Sequence, residues 1–160
     1  MPDRNAVGDR GESIFHSRIT EHYMFNVYFL GEKAPIVDFL LEIRDEKKPY
    51  YCIVQVKSTE QGYDAMGNLK VRVPKKKYTA LYKRPLPTYV AGVDIPTETV
   101  YLCPAFGDKT YVRSVPRKNS LKHSRKVTTL RTLNLLKQDV INYWEGAKYK
   151  KYKKKFKSSL

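Results

Sequence analysis

The chain has little of what usually announces a function. Of its 160 residues, two are cysteine, three are histidine and one is tryptophan. Cys52 and Cys103 lie in strand-like runs. They are too few for a disulfide scaffold and are expected to be buried thiols of a reducing compartment, with a single bridge between them the less favoured alternative. Neither has a local cue for a nucleophile. His16, His22 and His123 form no zinc spacing with them. No apolar run approaches the roughly 18–20 residues of a membrane span. The opening MPDRNAVGDRGE has no apolar stretch of the signal-peptide kind. A soluble, cytoplasmic protein without a membrane partner is the expectation.

Acidic residues are scarce in one region only. Residues 1–108 carry 15 Lys/Arg against 14 Asp/Glu, whereas residues 109–160 carry 16 against Asp139 and Glu145 alone. A nearly neutral module is thus joined to a strongly basic one, and a polyanion such as nucleic acid is the partner this asymmetry suggests. What the chain does have is apolar and aromatic material, 41% hydrophobic with 13 Tyr and 6 Phe, enough for one domain with a sizeable core.

Periodicity predicts a first helix over Glu12–Phe25, from Phe15, Ile19 and Tyr23 at i+4 spacing. Asn26–Leu30 reads as the end of that helix or a short strand. Strands are expected at Ile36–Ile43, Tyr50–Ser58 and Leu69–Val73, with a helix opened by Pro74 and running to Tyr82. Thr88–Val93 and Thr99–Cys103 read as further strands, and Tyr111–Val115 as an edge strand. A last helix spans about Thr129 to Ala147, with Leu133, Leu136, Val140, Tyr143 and Ala147 on one face. The order implies a mixed α/β sheet covered by helices.

Polar residues interrupt two of the apolar strands. Side chains alternate along a strand, so in Tyr50–Lys57 the residues Tyr51, Ile53, Gln55 and Lys57 share a face. Asp38 shares one with Leu40 and Glu42. The short connection RDEKKP implies that the two strands pair, which brings Asp38 beside Gln55 and Lys57. A carboxylate, an amide oxygen and an ammonium at one sheet edge suit a hard cation and a phosphate.

These residues resemble the PD-(D/E)xK nuclease superfamily, in its variant with Gln at the (D/E) position. The ordered set Gly11-Glu12, Val37-Asp38, Glu42-Ile43, Gln55-Val56-Lys57-Ser58, Pro87–Asp94 and Tyr101-Leu102 is similar to the family called domain of unknown function 4365, over residues 8–105. The resemblance implies a restriction-endonuclease-like α/β fold and a Mg²⁺- or Mn²⁺-dependent endonuclease. Asp38 would be the main metal ligand, Gln55 a second oxygen and Glu12 a third ligand from the helix. The metal would lower the pKa of water, and Lys57 would offset the developing charge. Gln55 departs from the commoner acid and should weaken metal binding. Genome defence, repair or mobile elements are the settings implied, with defence slightly ahead.

Plainer readings stand beside these. Asp38, Gln55 and Lys57 as a set could be exposed polar residues of a sheet edge, and Glu12 an acid at a helix N-terminus. Glu42 reads as a surface residue before a metal contact, and His16 as an ordinary helix histidine. The chain divides into a nuclease-like core at 1–116, a basic segment with the C-terminal helix packed on the core at 117–147, and a Lys-rich, flexible tail at 148–160. Arg117, Lys118, Lys122, Arg125 and Lys126 are expected to meet phosphates. In the tail, Lys148, Lys150, Lys151, Lys153, Lys154 and Lys155 interleave with Tyr149, Tyr152 and Phe156, which suits backbone contacts plus base stacking. A solvated charge run, or a membrane or localisation signal, is the alternative for the tail. The expected partner is nucleic acid, DNA before RNA, with a homodimer left open. The rival to an enzyme is a nucleic-acid-binding module without chemistry, and a weaker third reading is a structural subunit docked on a nucleoprotein.

Overall fold

A computed structural model describes residues 3–31, 34–106, 125–127 and 129–146. The first helix, α1 (Arg4–Thr20), begins eight residues before Glu12, capped by the Asp3 carboxylate accepting the Asn5 N–H at 3.1 Å. It also ends earlier than its periodicity predicts. Tyr23 takes φ 55°, a left-handed conformation that diverts the chain from the helix. Residues Phe25–Phe29 therefore leave as strand β1 rather than as a last helical turn.

Strands β2 (Phe39–Ile43) and β3 (Tyr51–Thr59) follow, then helix α2 (Lys75–Tyr82), strands β4 (Thr88–Asp94) and β5 (Thr99–Pro104), the two-residue β6 (Arg125–Lys126) and helix α3 (Leu130–Glu145). The strands form one mixed sheet in the order β1-β2-β3-β4-β5-β6. Antiparallel pairing joins β1 to β2, β2 to β3, β4 to β5 and β5 to β6. Only β3 and β4 run parallel, from Ile53↔Thr88 to Thr59↔Asp94, with α2 in the crossover that parallel strands require.

The faces of the sheet have separate cores. On one, Phe15 and Ile19 of α1 and Leu133, Leu136 and Val140 of α3 pack on Leu41, Cys52, Val54 and Ala91. On the other, Tyr78 and Leu81 of α2 pack on Ile53, Val90 and Cys103. The two thiols are buried on opposite faces of the sheet, which excludes a bridge between them. Burial drives the Cys103 thiol up to about 12, well away from reactivity. Helix α3 is held to the sheet by Trp144, whose Nε1 donates to the Tyr51 carbonyl at 2.8 Å. Among the described residues, no helix is long and apolar enough to cross a membrane.

Two sequence expectations need correction. Leu69–Val73 is not a strand. Leu69, Val71 and Val73 are buried and Lys70 and Arg72 exposed, as alternation requires, but the run packs in the core beneath α2 and forms a single bridge, Tyr63↔Leu69. Pro74 is the N-cap of α2 rather than its first helical residue. The edge strand expected at Tyr111–Val115 lies outside the described residues.

Candidate active site

The site forms where β2 ends before β3 does. The last pair of their ladder is Phe39↔Val54, so one step further sets Asp38 opposite Gln55. Beyond it, Val56–Thr59 have β4 on one side and, among the described residues, no strand on the other. The Asp38 carboxylate fills part of this gap: its Oδ2 accepts the Val56 N–H at 2.6 Å. The Asp38 backbone is fixed on both sides as well, its N–H donating to the Val54 carbonyl at 3.0 Å and its carbonyl accepting from Leu30 at 2.8 Å. The turn that delivers it carries Ile36 at φ 70°. A β-branched residue rarely adopts that conformation, which costs about 1–3 kcal/mol and is tolerated where the surroundings over-determine it.

Gln55 and Lys57 project from β3 on the face that α2 covers, alternating with Val54 and Val56, which join the α1 core. Glu12 reaches the gap from the other face. It lies mid-helix in α1, so an N-terminal macrodipole role does not apply to it. Its position depends on Gly11. A Cβ there would lie 2.4 Å from the Ser58 Cβ and 2.5 Å from its Oγ, so only glycine lets α1 approach β3 this closely. Ser58 Oγ also donates to the Val7 carbonyl at 2.9 Å, locking helix to strand.

The result is one open cleft of about 740 Å³ lined by Glu12, Asp38, Gln55 and Lys57 together with Arg4 and Gln61. All four residues singled out by the sequence pattern thus converge. Glu42 does not join them: it accepts the Tyr28 hydroxyl at 3.1 Å and lines a separate pocket near the β2–β3 connection. His16 is exposed, its ring tilted at 42° to that of Phe39 with centroids 6.4 Å apart, and does not line the cleft.

The electrostatics of the cleft are unbalanced. Burial holds the Asp38 carboxyl above its usual value, against the opposing pull of the Val56 N–H and of the Lys57 and Lys77 charges. Glu12 is raised by burial and then by the negative charges of Asp38 and Asp9. Lys57 is pushed down by burial and by the Lys77 ammonium, with Asp38 opposing. Gln55 is 5% exposed, and its Oε1 has no hydrogen-bond partner among the described residues. An orphaned buried acceptor costs about 1–3 kcal/mol.

Two carboxylates that repel one another and a bare amide oxygen make an all-oxygen donor set, which fits a hard divalent cation. Among the described residues, no three His, Cys, Asp or Glu side chains gather into a group that could hold a metal ion. Arg4 and Lys77 were not singled out by sequence reasoning. The signal available for Lys77 was the run Lys75-Lys76-Lys77 directly after Pro74. Of the expected phosphate contacts, Arg125 and Lys126 form the backbone of β6. Arg117, Lys118, Lys122, Lys148, Lys150, Lys151, Lys153, Lys154 and Lys155 lie outside the described residues. No protein-family model, curated protein or solved structure matches the chain.

Proposed function

We propose that the chain is a metal-dependent nuclease with a restriction-endonuclease-like core, hydrolysing phosphodiester bonds of nucleic acid, DNA before RNA. The observation that carries this reading is the buried Oε1 of Gln55, without a partner among the described residues, at the wall of the cleft that Asp38, Glu12 and Lys57 also line. A core position that leaves an acceptor bare beside two carboxylates is poorly designed for stability and well suited to a cation.

Asp38, Gln55 and Glu12 would hold Mg²⁺ or Mn²⁺, which when bound would act as a Lewis acid and lower the pKa of water near the phosphate. The chain's own groups do the rest. The Val56 N–H holds the Asp38 carboxylate in one orientation. Gly11 keeps α1 against β3 and so keeps Glu12 at the gap. Lys57 is half-buried and partly stripped of water, so its ammonium acts strongly on charge developing at the phosphate oxygens.

The test is cleavage by the purified protein. Single-stranded, duplex and branched DNA and RNA are incubated with Mg²⁺, with Mn²⁺ and with EDTA. Cleavage in either metal and none in EDTA is the expected result. Binding without cleavage of any substrate in either metal would replace the nuclease with a nucleic-acid-binding module of the same architecture.

A further inference from the structure

The near neutrality of residues 1–108 conceals a second basic region. Between Asp64 and Asp94 there is no acidic residue, while Lys70, Arg72, Lys75, Lys76, Lys77, Lys83 and Arg84 all fall there. We infer that the phosphate backbone of a nucleic-acid strand enters the cleft across this surface, held by Lys70, Arg72 and the first turn of α2, with Lys77 closest to the reacting phosphodiester. The inference rests on the nuclease reading of the cleft and names the surface that feeds it.

Three features place the surface beside the cleft. Burial of Leu69, Val71 and Val73 turns Lys70 and Arg72 outward. Tyr78 and Leu81 pin α2 to the sheet face from which Gln55 and Lys57 project. In a parallel crossover the helix returns antiparallel to its strands, which puts the first turn of α2 toward the C-terminal end of β3. Lys77 lies one helical turn before the fully buried Leu81, on the sheet side of α2. Its charge reaches both Asp38 and Lys57.

The surface is only partly offset, by Asp64 within reach of Lys70 and Asp38 within reach of Lys77. Lys70, Arg72, Lys75, Lys76 and Lys77 are exposed, and none forms an ion pair among the described residues, where the pairs are Arg18–Glu98, Lys48–Glu145 and Lys137–Glu46. The first turn of α2 holds no acid, and Pro74 provides no side-chain cap, so its leading N–H groups add positive potential to that of the lysines. The bare Gln55 acceptor marks where this path leads, since a cation held there would draw a phosphate. A continuous polyanion satisfies the whole row at once, which a single carboxylate cannot.

The experiment measures equilibrium binding of the full chain to a fluorescent DNA duplex in EDTA across a salt series. It compares wild type with Lys75→Gln/Lys76→Gln/Lys77→Gln, with Lys77→Gln alone and with a chain truncated after Gly146. Each lysine that meets a phosphate should flatten the log affinity against log salt slope by about 0.9, so the triple variant should lose about 2–3 units and the single variant about 1. The truncated chain should keep the part of the slope that the triple variant loses. A triple variant with wild-type affinity and slope overturns the inference, as does a wild type that binds no duplex. Because no metal is present, the result is independent of cleavage. Flattened slopes in a protein that never cleaves would uphold the surface while removing the nuclease reading.

Discussion

Two pairs of carboxylates lie against the same sheet and are treated in opposite ways. On α3, Asp139 accepts the hydroxyl of buried Tyr89 at 2.5 Å, and Glu145 accepts that of Tyr50 at 2.5 Å with Lys48 at 3.4 Å. Each has a donor built for it, and these are the only two acids in the basic third of the chain. In the cleft, Asp38 has one backbone donor, Glu12 faces Asp38, and the neighbouring Gln55 Oε1 has no partner among the described residues. The first pair docks a helix. The second has Lys57 and Lys77 within electrostatic reach but leaves the neighbouring Gln55 acceptor bare among the described residues.

The contrast breaks most visibly when one acid of each pair is removed. Asp38→Asn should lower metal-dependent cleavage by about 10²–10³-fold, the scale on which one charge-stabilising group acts, while the chain still folds. Asp139→Ala should do the reverse. It leaves the buried Tyr89 hydroxyl without its acceptor, costing about 1–3 kcal/mol of stability by urea unfolding, with the same metal requirement for cleavage. Equal losses of activity in both variants would erase the distinction.

Gly11→Ala tests whether the cleft depends on close approach of α1. The added methyl meets Ser58 at 2.4 Å, and such overpacking costs about 1–3 kcal/mol. Stability and cleavage should fall together, since Glu12 moves with the helix. Unchanged thermal unfolding would mean that α1 does not rest on Ser58.

Gln55 sharpens the comparison further. Gln55→Leu removes an acceptor that has no partner among the described residues, so the metal-free protein should be unchanged or up to about 1 kcal/mol more stable. The same substitution should abolish the stabilisation that Mn²⁺ gives the wild type, about 2.7 kcal/mol at a hundredfold excess over Kd. Gln55→Glu should keep or strengthen the Mn²⁺ effect. A large loss of stability in metal-free Gln55→Leu would show that the oxygen has a structural role.

The smallest expected effect is in pH. Asp38 and Glu12 are raised above their usual 3.8 and 4.5. Folded carboxyls then keep protons that the unfolded chain has released. Their contribution is fully present below those usual values and is lost as pH rises through the raised ones. Metal-free wild type should therefore lose stability relative to Asp38→Asn over that range, followed by urea midpoints, and Mg²⁺ should remove the loss. Tyr50, held up to about 12 by its bond to Glu145, keeps its contribution through neutral pH and loses it only as pH rises through about 12. Parallel pH curves for wild type and Asp38→Asn would mean that the cleft acids titrate as ordinary surface groups.

Much of the site was legible in the chain. Strand alternation and the short RDEKKP connection were enough to put Asp38 beside Gln55 and Lys57, because both are local rules of backbone geometry. The same rule misled at Leu69–Val73, where alternating burial was read as a strand. Alternation reports which side chains are covered, whereas a strand also needs a partner edge, and that run lies beneath α2. The start of α1 was missed because Arg4–Gly11 has little apolar content, and the helix there is fixed by the Asp3 cap and by contact of Gly11 with β3.

The amino-acid sequence by itself determined the mixed α/β architecture, the apolar stripe of α3 and the polar set at the end of β3, since each is written in spacing that the backbone period converts directly into a face. Only the tertiary structure decided that β2 stops one pair short of Asp38, that a glycine rather than a cap positions Glu12, that the two acids of α3 pin it to two buried tyrosines, and that Lys77 comes within electrostatic reach of Asp38 and Lys57. These follow from contacts between residues 15 to 95 positions apart, and no local period encodes such distances.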